Sequence, residues 1–566
     1  MTGTTAHALP RPVPSAEPGP LDDRFYDLVE GRVRRLLAND PIMATGLGLH
    51  DRDDELGDGT RDAVLDKLAA ERAYLSTIEA LDPAGLSEDV RFERDLELHN
   101  LRLGIFDLDE VRLWERRSLA IERIGDALFL PFTRDHAPLP ERLAAIAGRL
   151  EAVPAYLEEA RTRSIVPQVR MWQGLEMESA AELPVFLDEI VAAGAGVLAD
   201  PDLRRLRKAA DTAKVAVDLY GTWLEGTLAG GTDAWALGRE RQDALIGLRA
   251  FDGLDADSIL ALGWERLAAE RDARVAAAAE IDPAADVRDV IERVKSDGPA
   301  DFPAALAAYR DAMLRARDHL IEHDLIGVPS DERIDVIATP EYLRNVFPFA
   351  AYFAPAAFDP SPKGIYVVTP AVHGDPDAMK EHNHASISNT SIHEAYPGHH
   401  LQLDIARRHP SLTRMLTDAP EFVEGWGMYS ELMMREHGFD AGPRFRLAMH
   451  TDAIWRACRI ILDIRMHRGE LSTQEATTFL IEETGFQRSN ARAEVDWYTY
   501  RPTYPLSYLV GRTLILALRA DEQRRLGGAF RLRDFHDTLV RNGSLPISFQ
   551  RRSLEAATHP DVPAGA

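Results

Sequence analysis

The chain has 566 residues, 45% of them hydrophobic and 28% charged, with a formal net charge of -27 and a pI near 5.1. An acidic surface without a basic tract repels phosphate backbones and argues against a nucleic-acid partner. No apolar run reaches the ~18–20 residues of a membrane span, and the single cysteine, Cys458, excludes an intrachain disulfide and a thiolate metal cluster.

The start, MTGTTAHALPRPVPSAEPGPLDDRF, is rich in Pro, Ala and Gly and lacks a charged segment followed by an apolar one. It predicts a disordered leader over residues 1–20 and, by default, a cytoplasmic protein. Helical periodicity then dominates. Over 24–40, Phe25, Leu28, Val29, Val33, Leu36 and Leu37 fall on one stripe at spacings of three and four. The same pattern recurs at 62–81, 87–110, 140–163, 178–199, 201–228, 256–280 and 303–324, with Pro and Gly between, as in EIDPAAD. Near 331 the texture changes: DERIDVIATP and PKGIYVVTP are short, β-branched and bounded by Pro or Gly, and NVFPFAAYFAP between them reads as a third strand. Helices resume at SISNTSIHEAY and continue at 421–437, 444–468, 473–483, 489–499 and 506–526, the second of them carrying Cys458 on a packed face. The fold class predicted is mainly α: one large helical domain over 21–556, which two lobes could divide. A small antiparallel sheet at about 331–370 stands beside a metal site at 393–431, and residues 557–566 form a flexible tail.

The metal site is read from SIHEAYPGHHLQ, residues 391–402. A plain His-Glu-x-x-His helix puts its second His one turn after the first, but Pro397 holds that place and the histidines come late, at His399 and His400. In an unbroken helix neither could share an ion with His393: a six-residue offset points elsewhere, and a seven-residue offset adds ~10 Å of rise. Pro397 removes an amide donor and clashes with the preceding turn, and Gly398 frees the backbone at the break. The pair can therefore bulge the chain and swing His399, with His400 the less favoured alternative, back towards His393. The upstream His382 and His384 read as solvated. A third ligand is offered by Glu424 in EFVEGWGMYSELMM, an acid set among Phe422, Val423, Trp426 and Met428, with Gly425 and Gly427 permitting close approach of another backbone. Such burial costs several kcal/mol unless the carboxylate is paired or metal-bound. Glu431, two turns on, could instead hydrogen-bond a ligand imidazole.

HEAYPGHHLQ, FVEGWGMYSE and YPLSYLVGR resemble the bacterial family called domain of unknown function 885, related to zincin-type metallopeptidases such as carboxypeptidase Taq and the neurolysin and thimet oligopeptidase group. The likeness runs from NDPIMATGLGLHD near residue 40 to FHDTLVRNGSLPIS near 548. It implies a zincin-like helical body with a deep active-site channel, one Zn2+ per chain held by His393, His399 and Glu424, and Glu394 as the catalytic acid. Tyr508 matches the tyrosine that stands three residues before a glycine in carboxypeptidase Taq-like sequences.

The expected function is zinc-dependent hydrolysis of peptide or related amide bonds, with Glu394 as general base. Tyr508 first, then Tyr504, would donate to the developing oxyanion, and Arg501 and Arg512 could receive a substrate carboxylate. The partner expected is a peptide or small amide, with no nucleic acid and no membrane; the oligomeric state has no signature here. A carboxylate-bridged di-iron site needs Glu-x-x-His pairs, and Glu394 has Pro397 at that offset. A helical binding or scaffold protein with a vestigial zinc site is the rival expectation.

Overall fold

The computed structural model describes residues 8–13, 17–164, 167–340, 344, 350–359, 361–370 and 378–556. The chain forms two compact units. The first comprises Met1–Trp235 with Ala356–Pro362 and Pro410–Thr413; the second comprises Ala236–Pro355, Lys363–His409 and Arg414–Ala566. Residues 1–7, 14–16 and 557–566, where parts of the leader and the tail were expected, lie outside the described residues. Arg11 is described, and it pairs with Asp23 and Asp27.

The first unit is helical. Asp22–Asn39 buries Phe25, Val29, Val33 and Leu37 of the predicted stripe, while Leu28 and Leu36 sit at its partly exposed margins. Leu139–Arg161, Arg170–Gly194 and Asp200–Thr227 are long helices that pack side by side. The middle one begins eight residues before the stretch expected from periodicity.

In the second unit, Ala256–Ile281 lies along Pro443–His467, whose Cys458 is fully buried, and Phe302–Glu322 packs on His384–Glu394. The sheet holds β1 (Ile334–Ala338), β2 (Ala350–Phe353) and β3 (Gly364–Val368) in the order β1-β3-β2. The expectation of an antiparallel sheet is corrected. β2 pairs antiparallel with β3, but β1 and β3 run parallel, with Ile334 opposite Gly364 and Ala338 opposite Val368. Two reversals of direction return β3 to the heading of β1, and it inserts between the other two. Its unbroken GIYVV run is buried at every position, as a central strand covered on both faces requires.

Helix Pro420–Glu436 packs on Ser507–Leu526 at a backbone-to-backbone contact. A Cβ added at Gly511 would stand 1.9 Å from the carbonyl oxygen of Glu421 and 2.7 Å from the Cα of Gly425. No side chain fits there. Gly511→Ala is expected to destabilise the protein by at least ~2 kcal/mol, at or beyond the usual range for overpacking, read as a lower midpoint in urea unfolding. An unchanged midpoint would mean that the two helices do not meet this closely.

Candidate metal centre

Helix His384–Glu394 begins at Asn383, whose side chain accepts from the amides of Ala385 and Ser386, and it ends at the two residues of interest. His393 and Glu394 occupy its last turn; Tyr396, Pro397 and Gly398 then form a turn, and a second helix starts at His399. Pro397 has no amide to continue the ladder, so the chain leaves the helix and re-enters it. The turn is pinned on three sides. The Tyr396 hydroxyl donates to Glu332 at 2.6 Å, the Trp426 indole donates to the Pro397 carbonyl at 2.8 Å, and the Gly398 amide donates to Ile392 at 3.0 Å. A Cβ at Gly398 would stand 1.8 Å from the His393 carbonyl oxygen. Only glycine fits.

This turn decides between the two late histidines. His400 faces away: its Nε2 lies 2.9 Å from Glu332 and its Nδ1 2.9 Å from the Tyr352 hydroxyl of β2, so both ring nitrogens are engaged. Burial raises the Glu332 carboxyl, but its hydrogen bonds to His400, Tyr396 and Arg317 outweigh that and bring it down to about 2. His399 turns inward. Its ring meets that of His393 edge to face at 4.7 Å, and its Nε2 lies 3.4 Å from Glu424 Oε2. His393 Nε2 lies 3.6 Å from the same oxygen.

These spacings fit an ion better than a hydrogen bond. Ligands held at ~2.0–2.2 Å in a tetrahedron stand roughly 3.3–3.6 Å apart. Glu424 Oε2 is buried with no hydrogen-bond partner among the described residues, as is His399 Nδ1. The second oxygen of Glu424 accepts from the Tyr504 hydroxyl at 2.7 Å, which turns Oε2 towards both imidazoles. Burial acts to lower the His393 pKa, but Glu424, Glu431 and Glu394 push it up to about 10. The carboxylates around His393 therefore favour positive charge at this position.

The surroundings orient each group. His393 Nδ1 lies 2.8 Å from Glu431 Oε1, and Asn389, one turn before His393, donates to Glu431 Oε2 at 2.9 Å. An acceptor on Nδ1 fixes the tautomer that leaves the Nε2 lone pair free. A Cβ at Gly427 would stand 2.6 Å from His393 Cε1. Gly425 thus admits a backbone, as expected, whereas Gly427 admits the imidazole. Glu394 is half-buried and makes no hydrogen bond or ion pair among the described residues.

Tyr504 stands on the loop that leads into helix Ser507–Leu526, and Tyr508 on the first turn of that helix. Asp463 accepts from the Thr503 amide at 3.0 and 3.2 Å, holding Thr503 at φ 65°, and Arg249 donates to the Thr503 hydroxyl at 3.1 Å. Tyr508 stacks beside His393, ring centroids 6.5 Å apart and planes inclined by 16°. Burial and the nearby Glu424 carboxylate raise the Tyr508 pKa well above that of a free phenol, so it stays protonated.

Neither predicted arginine makes a hydrogen bond or ion pair with His393, His399 or Glu424 among the described residues. Arg501 is exposed at the end of its helix. Arg512 is buried against Glu270, whose other oxygen lies 2.7 Å from His450. His384 is exposed as expected; His382 is buried instead, packed against Phe302 and Tyr309.

Among the described residues a second grouping also brings together metal-ligating side chains, His50, Asp53 and His136 of the first unit. It shares some of these features, with His136 Nε2 3.3 Å from Asp53 Oδ2 and His136 Nδ1 buried without a hydrogen-bond partner, but its carboxylate is already engaged. Asp53 Oδ2 lies 2.7 Å from His50 Nδ1, its Oδ1 accepts from Thr45 at 2.6 Å, and the two rings stack face to face at 3.6 Å and 5°. In-plane lone pairs of stacked rings run parallel and do not converge.

The sequence matches the bacterial protein family of unknown function DUF885 over residues 41–554. The chain belongs to this family. No curated protein matches. Two solved structures share its fold. A candidate lipoprotein of unknown function from Shewanella oneidensis is 20% identical, with a TM-score of 0.76 over 93% of this chain and 99% of the other. One from Colwellia psychrerythraea is 17% identical, with a TM-score of 0.81 over 94% and 98%. No helix among the described residues of this DUF885 chain is long and apolar enough to cross a membrane.

If Glu431 orients a ligand, Glu431→Ala should weaken metal affinity by about 10- to 100-fold, the usual effect of losing such a partner, measured by chelator competition. An unaltered affinity would remove Glu431 from the centre.

Proposed function

We propose that the chain is a zinc-dependent hydrolase of peptide or related amide bonds, built on a zincin-like body. The observation that carries this reading is the unpartnered Glu424 Oε2, 3.4 and 3.6 Å from two imidazole nitrogens. Two neutral imidazoles and one carboxylate form a borderline donor set with a fourth position open, the pattern of catalytic zinc. When bound, zinc polarises a substrate carbonyl and lowers the pKa of water from 15.7 towards about 7.

The remaining work falls to the chain's own side chains. Glu394 follows His393 directly and has no partner to release. It takes a proton from the attacking water and returns it to the leaving amine. The protonated Tyr508 donates to the oxygen that gains charge as the carbonyl becomes tetrahedral. Tyr504 is already engaged by Glu424; it positions the carboxylate, leaving Tyr508 as the oxyanion donor. Asp463 and Arg249 hold Thr503, in the loop that carries Tyr504 and leads into the helix that carries Tyr508.

Zinc-loaded protein incubated with a mixed peptide library should yield new termini by mass spectrometry, and a chelator should abolish them. Retained zinc with no cleavage across the library would favour a binding protein. Glu394→Gln should keep zinc and lose turnover, whereas Tyr508→Phe should lower kcat by roughly 100- to 1000-fold, as loss of an oxyanion donor does. Full activity in either variant contradicts the role given to that residue.

A further inference from the structure

A cation near the centre, Arg456, makes no hydrogen bond among the described residues. Arg456 lies in helix Pro443–His467, with its side chain 14% exposed. Its Nε and Nη1 are buried and make no hydrogen bond, and among the described residues no other group of its guanidinium has a hydrogen-bond partner. The nearest carboxylate is Asp452, one turn earlier, at 3.9 Å. Asp452 is itself turned to Asn389, which donates to its Oδ2 at 2.9 Å. Arg459, one turn on, offers a contrast: two of its nitrogens are spent on Glu494, at 2.8 and 3.2 Å.

A buried guanidinium with unmet donors costs free energy, so its partner is expected to come from outside the fold. Position says what partner. The Arg456 guanidinium carbon stands 5.9 Å from the Tyr508 ring, whose other neighbours are Arg459 at 4.5 Å, Tyr504 at 6.1 Å and His393 at 6.5 Å. Tyr508 is thus a shared neighbour of the guanidinium and of the His393 imidazole. A metal–oxygen bond of ~2 Å, one residue of ~3.8 Å and a charge-assisted hydrogen bond of ~3 Å together reach roughly 9 Å from an ion. The Trp455 ring, 3.8 Å from the same guanidinium carbon, packs against the group.

We infer that Arg456 receives the free α-carboxylate of a peptide whose scissile carbonyl lies at the metal, so that the substrate class is peptides cleaved one residue from the C-terminus. Arg456 then acts as a specificity residue, while Arg501 and Arg512 stay outside substrate recognition. This inference rests on the hydrolase reading for its scissile bond, but carboxylate recognition can be measured without hydrolysis.

The test is calorimetric titration of the zinc-loaded Glu394→Gln protein with N-acetyl-Ala-Phe as the free acid and as the C-terminal amide. The acid should bind at least 10-fold more tightly than the amide, a typical loss when one charged hydrogen-bonded partner is removed. Adding Arg456→Gln should bring the two affinities together. Equal affinities in protein that retains Arg456, absence of binding by the acid, or a preference that survives Arg456→Gln would each overturn the inference. The first comparison needs no arginine variant, so a folding defect in Arg456→Gln leaves it intact. Wild-type turnover on the same pair separates the two readings. An Arg456-dependent preference without turnover sinks the hydrolase and keeps the carboxylate site, whereas equal cleavage of acid and amide keeps the hydrolase and sinks the site.

Discussion

The second unit is organised around a buried carboxylate oxygen that no described residue hydrogen-bonds. Glu424 Oε2 is buried between two imidazoles, too far from either for a good hydrogen bond, while its twin oxygen is held by Tyr504. Burying an acid half-satisfied costs several kcal/mol. Such an arrangement persists only when a ligand recovers that cost or the surroundings enforce it. Here the surroundings do enforce it, through Glu431 on His393, Trp426 on the Pro397 carbonyl and Asp463 on the Thr503 amide just before Tyr504. Each of these contacts fixes a direction, and the directions share one focus.

The broken helix is the means of reaching that focus. Two helices meeting at a tight turn place side chains six residues apart in contact, which no regular helix can do. The turn forbids any side chain at Gly398 because the His393 carbonyl occupies the space. The EGWG motif solves the neighbouring problem with three residues. Gly425 lets helix Ser507–Leu526 come within backbone contact, Trp426 ties down the turn, and Gly427 leaves room for the imidazole.

Helix positions were legible in the sequence because burial there follows a 3.6-residue period, and most ends fell within one or two residues. The bulge at Pro397 and Gly398 was also legible, since proline leaves a helix few alternatives. The choice between His399 and His400 was not: it depends on Glu332 and Tyr352, distant in sequence, capturing His400. Strand direction was hidden for a similar reason, because the insertion of β3 between β1 and β2 is a matter of topology, not composition. Charged residues were the least readable. Arg512 and Arg456 look alike as letters, yet Glu270 engages the first and no described residue hydrogen-bonds the second. Pairing across a fold is set by neighbours that a linear reading cannot place.

The central claim is that His393, His399 and Glu424 bind one zinc ion together. X-ray absorption at the zinc edge of the purified protein addresses it most directly. The account predicts a single four-coordinate environment, with two imidazole nitrogens and light oxygen donors at about 2.0–2.2 Å, and loss of one imidazole contribution in His399→Ala but none in His400→Ala. A shell without imidazole scattering, or an imidazole lost with His400 and kept without His399, would contradict it.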